Sequence, residues 1–189
     1  KTVQAVDLLA NPELMGDAKN IVVAGGGVVG CETAYWLNYE YGKNVKVVEM
    51  LPNFMQGCCT ANRAHLLYYM KKAGIELYNC SRVTSFEKGK VNFTQNVSKG
   101  APDPYITWRP LLPENIPNPM AKKMGPQTKD ITLSADLVVL AMGGRPDDAL
   151  YLEALRTNAA PELFNIGDSF AGGRVLEANR AAFRLAQSI

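Results

Sequence analysis

Ile21-Val22-Val23-Ala24-Gly25-Gly26-Gly27-Val28-Val29-Gly30-Cys31-Glu32 is the stretch whose reading decides the fold. Four apolar or small residues run into a glycine cluster, and a helix-like pattern follows. Read as strand, tight turn and helix, it sets Gly25, Gly27 and Gly30 in G-x-G-x-x-G spacing. In such a unit the first glycine permits the sharp turn. The second lets a pyrophosphate approach the backbone, and the third lets helix and strand pack closely. The helix N-terminus adds free N–H groups and about half a positive charge. Gly26, Val28 and Val29 complete the candidate phosphate loop. A glycine motif alone is weak evidence, so its neighbours have to supply the context.

Residues 28–41 read as a helix, with Val29, Thr33, Trp36 and Leu37 on one core-facing stripe. Gly42 is its expected stop. A second strand, 45–49, ends on Glu49, 19 residues after Gly30. A dinucleotide fold needs a carboxylate about 20 residues on, accepting hydrogen bonds from the adenosine ribose. A hydrogen bond of this charge-assisted kind contributes ~1.5–3 kcal/mol. The same carboxylate repels a 2′-phosphate, so NADH is favoured over NADPH. Glu49 and the adjacent Met50 are the candidate adenosine-side residues. The bland alternative is a surface glutamate at a strand end, and the upstream glycine motif argues against it.

The loop 51–60 holds Pro52, Asn53, Gly57 and the adjacent Cys58-Cys59. Neighbouring cysteines rarely close a comfortable disulfide, so two free thiols are expected. Thr60 or Asn62 can cap a helix reaching about 73, with Leu66, Leu67 and Met70 inward and Gly74 as its stop. His65 lies in it without an acid or nucleophile partner and is given no role. Residues 74–78 read as a third strand. Strand, helix, strand, helix, strand predicts a Rossmann-like, right-handed, doubly wound parallel sheet in the α/β class. Then 82–86, 90–94 and 131–133 alternate in period two, which predicts an antiparallel meander.

Between 94 and 130 stand seven of the chain's 11 prolines, with Tyr105, Trp108 and Met120 among them. So long a segment is either an extended hairpin excursion or a surface that docks another domain or chain. Residues 1–19 read as a lead-in, a surface linker with one short helix. An apolar strand at 135–141 runs into Gly143-Gly144, a second glycine turn at a strand's carboxyl end, where such sheets bind ligands. A short helix to about 155 follows. Residues 163–168 then read as a strand ending in Gly167-Asp168, and 174–189 as a closing amphipathic helix carrying Leu176, Phe183 and Leu185.

Composition narrows the function classes. Net charge is +2 and no basic stripe is present, so no nucleic-acid partner is expected. No apolar run approaches the ~18–20 residues of a membrane span. Four cysteines without C-x-x-C and a single histidine leave no zinc-like cluster. Their use fits a reducing cytoplasm. The first residue is Lys1, which suggests a piece of a longer protein.

Residues 25–34, Gly-Gly-Gly-Val-Val-Gly-Cys-Glu-Thr-Ala, resemble the NAD(H)-domain signature of the flavoprotein reductases that bind two dinucleotides. Residues 135–146 resemble their return segment, with Met142 where a threonine is usual. Phe164-Asn165-Ile166-Gly167-Asp168 resembles their late Gly-Asp motif. Across nearly its whole length the chain is similar to the C-terminal part of the NADH:flavin oxidoreductases related to old yellow enzyme, of the 2,4-dienoyl-CoA reductase, enoate reductase and trimethylamine dehydrogenase type. The resemblance implies an FAD/NAD(P)-binding fold in which 20–141 is the NADH domain and 142–189 a remnant of the FAD domain. It implies NADH pyrophosphate at Gly25 to Gly30, its ribose at Glu49, Glu32 toward the nicotinamide, and Asp168 on the FAD ribityl chain. It also implies an upstream flavin barrel and iron–sulfur domain as partners. The FAD half's own first glycine motif is missing, so FAD belongs to the longer protein and this piece is expected to be inactive alone.

Three functions remain open on these residues. One is the NADH-binding domain of a flavin-dependent oxidoreductase, which needs no acid–base side chain because the cofactors carry the chemistry. Another is a non-catalytic nucleotide-sensing or docking module. A methyltransferase shares the glycine turn and the acid, but the Gly-Arg-Pro and Gly-Asp segments argue against it.

Overall fold

The computed structural model describes residues 1–108, 116, 119 and 122–189. It divides into two units, Lys1–Met142 and Gly143–Ile189. The first unit begins with β1 (Thr2–Gln4), α1 (Ala5–Ala10), a 3-10 turn at Pro12–Met15 and β2 (Asn20–Ala24). Then come α2 (Val28–Tyr41), β3 (Asn44–Val48), α3 (Thr60–Lys72) and β4 (Glu76–Tyr78). It closes with β5 (Ser81–Glu87), β6 (Lys90–Asn96), β7 (Thr128–Ser134) and β8 (Leu137–Leu140).

Five strands make a parallel sheet in the order β1-β8-β2-β3-β4, and β5-β6-β7 make an antiparallel one. Period-two alternation assigns the two faces of the parallel sheet. Ile21, Val23, Val45, Val47, Leu137 and Val139 join Leu8, Leu37, Leu67 and Met70 under α1, α2 and α3. Val22, Ala24, Val48 and Val138 pack instead on Val91, Phe93 and Leu133 of the meander. Burial on both faces is why β2 and β8 read as continuous apolar runs. A doubly wound sheet carries helices on both faces; here the meander takes the second face.

The lead-in is not a surface linker. Thr2–Gln4 pairs with β8 in register Thr2↔Val138 to Gln4↔Leu140. Leu8 is fully buried, and burying such a side chain is worth ~1.5–3 kcal/mol. The period in a six-residue helix was too short to reveal that its apolar side faces the sheet.

Helix α2 spans the expected residues and stops at Gly42, whose φ of 60° is left-handed and whose N–H donates to Asn38 C=O. Its buried face is Gly30, Cys31, Thr33, Ala34 and Leu37. Val29 is 46% exposed and so leaves the expected stripe. Small residues let the helix sit close to β2, which rotates the buried face away from Val29. In α3 the N-cap is Cys59, without a side-chain cap bond, rather than Thr60 or Asn62. Strands β6 and β7 pair from Lys90↔Ser134 to Asn96↔Thr128, so the Pro-rich excursion runs from 97 to 127. Met120, Pro110, Pro113 and Pro117 lie outside the described residues.

The second unit holds α4 (Ala149–Arg156), a 3-10 turn at Gly167–Ser169 and α5 (Val175–Ala186). The strand expected at 163–168 is absent. Residues 163–166 have no strand beside them within this unit, and a lone strand leaves its backbone groups unpaired. No residue of the unit is buried, and Phe164, Phe170, Leu176 and Phe183 are all exposed.

Candidate functional site

The site is assembled at the carboxyl ends of β2, β3 and β8. Strand β2 pairs with β3 on one side and with β8 on the other. The chain leaves β2 toward β3 and returns to its other side through β8, which makes this the switch point of the sheet, where folds of this kind bind ligands. The glycine turn lies there. Gly25 N–H donates to Val48 C=O at 2.9 Å, and Ala141 N–H to Ala24 C=O at 2.8 Å. These two bonds hold the turn to both neighbouring strands.

Each glycine of the turn has its own steric reason. Gly25 has φ +110°, and a Cβ there would drive into the Ala141 carbonyl. At Gly30 a Cβ would drive into the Gly25 carbonyl, since helix and strand touch through backbone. At Gly26 it would meet the Phe54 ring and the Glu49 Cβ. Gly27 is different: nothing lies within 4 Å of its Cβ position. The second motif glycine thus faces open space, where the motif reading puts pyrophosphate. Gly27 is also the N-cap of α2. The first N–H to find an acceptor inside the helix is that of Cys31, which donates to Gly27 C=O at 3.0 Å. The N–H groups of Val28, Val29 and Gly30 precede it and point from the positive end of a 14-residue helix.

Glu49 follows the last residue of β3 and is 8% exposed. Gly26 N–H donates to its Oε2 at 2.5 Å, and Leu51 N–H donates to Oε1 at 2.7 Å. A carboxylate has about four acceptor positions, so two remain for other donors. Glu49 therefore braces the glycine turn with acceptor positions to spare. Met50 beside it is 63% exposed. Glu32 is exposed on the second turn of α2. The intervening Cys31 is fully buried, and its Sγ–H donates to Gly26 C=O at 3.4 Å. Burial, with Glu49 and Glu32 adding to it, pushes this thiol far up, so it stays protonated and is no nucleophile.

Sequence reasoning missed the underside of the site. Phe54 and Met55 are fully buried although they sit in a loop. Met55 N–H donates to Gly26 C=O at 2.8 Å, and Met55 holds a φ of 52° unusual for a side chain of its size. An apolar pair inside the turn-rich 51–60 loop was the available signal. The remaining candidates, Gly143, Gly144 and Asp168, belong to the second unit. Gly143 has φ 89°, Gly143 and Gly144 are exposed, and Asp168 Oδ1 accepts from Gly173 N–H at 3.1 Å.

The four cysteines are free thiols. No helix among the described residues is long and apolar enough to cross a membrane.

Residues 1–182 match the family model described as pyridine nucleotide-disulphide oxidoreductase. The chain is 28% identical over 186 residues to an NADH oxidase of Thermoanaerobacter brockii, covering 98% of this chain and 24% of that protein. It is 26% identical over 192 residues to a cinnamate reductase of Clostridium sporogenes, covering 100% of this chain and 24% of that one. Among solved structures, a 2-naphthoyl-CoA reductase in complex with 2-naphthoyl-CoA superposes with a TM-score of 0.71 at 23% identity, over 100% of this chain and 23% of that chain. Histamine dehydrogenase from Rhizobium sp. 4-9 gives 0.72 at 15% identity, over 100% of this chain and 24% of that one. At these identities the two structures speak for the fold alone. The family implies FAD and NAD(P)H as cofactors. The chain belongs to the pyridine nucleotide-disulphide oxidoreductase family, with an FAD/NAD(P)-binding Rossmann-type fold.

Proposed function

We propose that this chain is the NADH-binding domain of a flavin-dependent oxidoreductase, one that passes a hydride from NADH to flavin. The observation that carries it is the contrast within the glycine turn: Gly25, Gly26 and Gly30 are walled in, and Gly27 alone is open. That space lies at the N-terminus of α2, beside a carboxylate fixed at the end of β3. NADH fits these residues. Gly25 to Gly30 and the first N–H groups of α2 would hold the pyrophosphate, and the free acceptor positions of Glu49 the ribose hydroxyls. Glu32 lies toward the nicotinamide end, and Met50 flanks the adenosine. Glu49 is the reason for preferring NADH to NADPH.

Bound NADH supplies a hydride, and a flavin accepts it. This chain's part is to bind and orient the dinucleotide. FAD does not fit this chain by itself: Asp168 is a single exposed carboxylate, and the sequence has no second G-x-G-x-x-G. Gly143, Gly144 and Asp168 are read as its share of an FAD site completed elsewhere, in a protein of the NADH:flavin oxidoreductase type related to old yellow enzyme. The relatives, about four times as long, leave room for an upstream flavin barrel and iron–sulfur domain. Four free thiols are consistent with a cytoplasmic setting.

Calorimetric titration tests the reading. NADH should bind more tightly than NADPH, and Gly27→Val should weaken NADH by a hundredfold or so, about 2.7 kcal/mol, with melting lowered only by the poorer N-cap residue, ~0.5–1 kcal/mol, since nothing lies within 4 Å of the Cβ position. No binding of either nucleotide at millimolar concentration would sink the proposal. The second reading, a nucleotide-sensing or docking module, predicts the same binding without flavin-dependent turnover in the longer protein.

A further inference from the structure

The glycine turn rests on a loop, and the loop is held by two buried side chains that no motif describes. Phe54 lies directly beneath Gly26, and Met55 N–H donates to Gly26 C=O. Loop 51–59 has no strand or helix of its own to fix it. Arg63 of α3 is 4% exposed. Its Nε donates to Phe54 C=O at 2.9 Å and its Nη1 to Thr107 C=O at 3.3 Å. Asn79, also 4% exposed, donates from Nδ2 to Pro52 C=O at 2.8 Å and to Pro102 C=O at 2.9 Å. Two polar side chains thus make the same connection twice. Each grips one carbonyl of the loop and one of the root of the Pro-rich excursion.

The root itself is anchored. Tyr105 O–H donates to Ile75 C=O at 2.6 Å and accepts from Leu77 N–H at 3.3 Å. These are the groups that β4, as the edge strand, leaves unpaired on its outer side. The excursion therefore does more than connect β6 to β7. Its first part is a fixed shelf, and Arg63 and Asn79 tie the loop under the glycine turn to that shelf. Burying a guanidinium is costly without full hydrogen bonding, and simple packing would be served as well by an apolar residue.

We propose that Arg63 and Asn79 are positioning residues for the dinucleotide: through Phe54 and Met55 they set the height of Gly26, and with it the Glu49 carboxylate that Gly26 N–H holds. The inference rests on the dinucleotide reading of the turn, and the test separates the two. NADH is titrated into the unaltered chain and into Arg63→Met, Arg63→Lys and Asn79→Ala. Backbone amide exchange is measured on each without nucleotide. Couplings of this indirect kind span roughly 3- to 30-fold in affinity. Arg63→Met and Asn79→Ala should each weaken NADH within that range. Arg63→Lys, which keeps the charge but donates from a single nitrogen, should fall between Arg63→Met and the unaltered chain. The Met55 amide should exchange faster in all three while that of Val23, inside β2, keeps its rate. A merely structural role would speed exchange at both amides together. A folded variant with unchanged affinity for NADH, or with unchanged exchange at Met55, overturns the proposal. Should Arg63→Met not fold, Arg63→Lys and Asn79→Ala decide. If the unaltered chain binds no NADH, the proposed function falls, and Met55 exchange alone decides the positioning role by the same rule.

Discussion

The chain twice runs apolar residues into glycine and acid: at Ile21 to Gly27 with Glu49, and at Leu163 to Gly167 with Asp168. The first becomes a strand and a braced turn. The second becomes no strand, and its glycine opens a 3-10 turn with φ 71°. The two differ in what stands beside them. Strand β2 has β3 and β8 to pair with along its length, and its turn touches Ala141, Phe54 and Glu49. Around Gly167 the nearest atom to a Cβ position is the Ala178 Cβ at 3.9 Å. A motif marks where a turn can form; neighbouring strands and loops turn it into a site of defined shape.

Glycine replacements measure that difference. Gly30→Ala should be the most damaging, because its methyl would meet backbone, which cannot swing aside. A loss of about 3 kcal/mol is expected in urea unfolding. Gly26→Ala should cost less, ~1–3 kcal/mol, since the Phe54 ring and Glu49 can shift, and it should also weaken NADH by displacing the carboxylate. At Gly167 the methyl has room, and Gly167→Ala should cost only the left-handed backbone term, ~1–2 kcal/mol. If Gly167→Ala proved as costly as Gly30→Ala, the contrast between a braced and an open turn would be wrong.

The same contrast explains what could be read in advance. The helix 28–41, the second strand, the meander and the Glu49 position were legible because each is encoded by spacing within its own segment. Thr2–Gln4 was not, since a three-residue edge strand is defined by its partner β8, 136 positions away in the register Thr2↔Val138. Nor was the underside of the site. Arg63 and Asn79 donate to the backbone carbonyls of Phe54, Thr107, Pro52 and Pro102, and a carbonyl has no letter in the sequence. The strand expected at 163–168 failed for the converse reason: its letters were right, but no strand stands beside it within its own unit.

Two exposed carboxylates give the mildest form of the comparison. Asp136 Oδ2 accepts from the N–H of Lys19 at 3.0 Å, from the N–H of Asn20 at 2.8 Å and from Asn20 Nδ2 at 3.3 Å. It thereby locks the start of β8 to the start of β2. The Asn20 and Lys19 backbone donors hold its carboxyl below the usual aspartate range. Asp168 accepts only a local bond, from Gly173 five residues on. A carboxyl depressed in the folded state contributes stability above its unfolded value and loses it as pH falls through the folded one. Asp136→Asn should therefore lower the melting temperature of the first unit at pH 7, and the gap to the unaltered chain should close as the pH is taken below the aspartate range. Asp168→Asn removes one accepted bond rather than three and should lower melting less at pH 7. An Asp136→Asn gap that stays open at low pH, or an equal loss in both variants at pH 7, would mean that pairing between strands does not distinguish the two carboxylates.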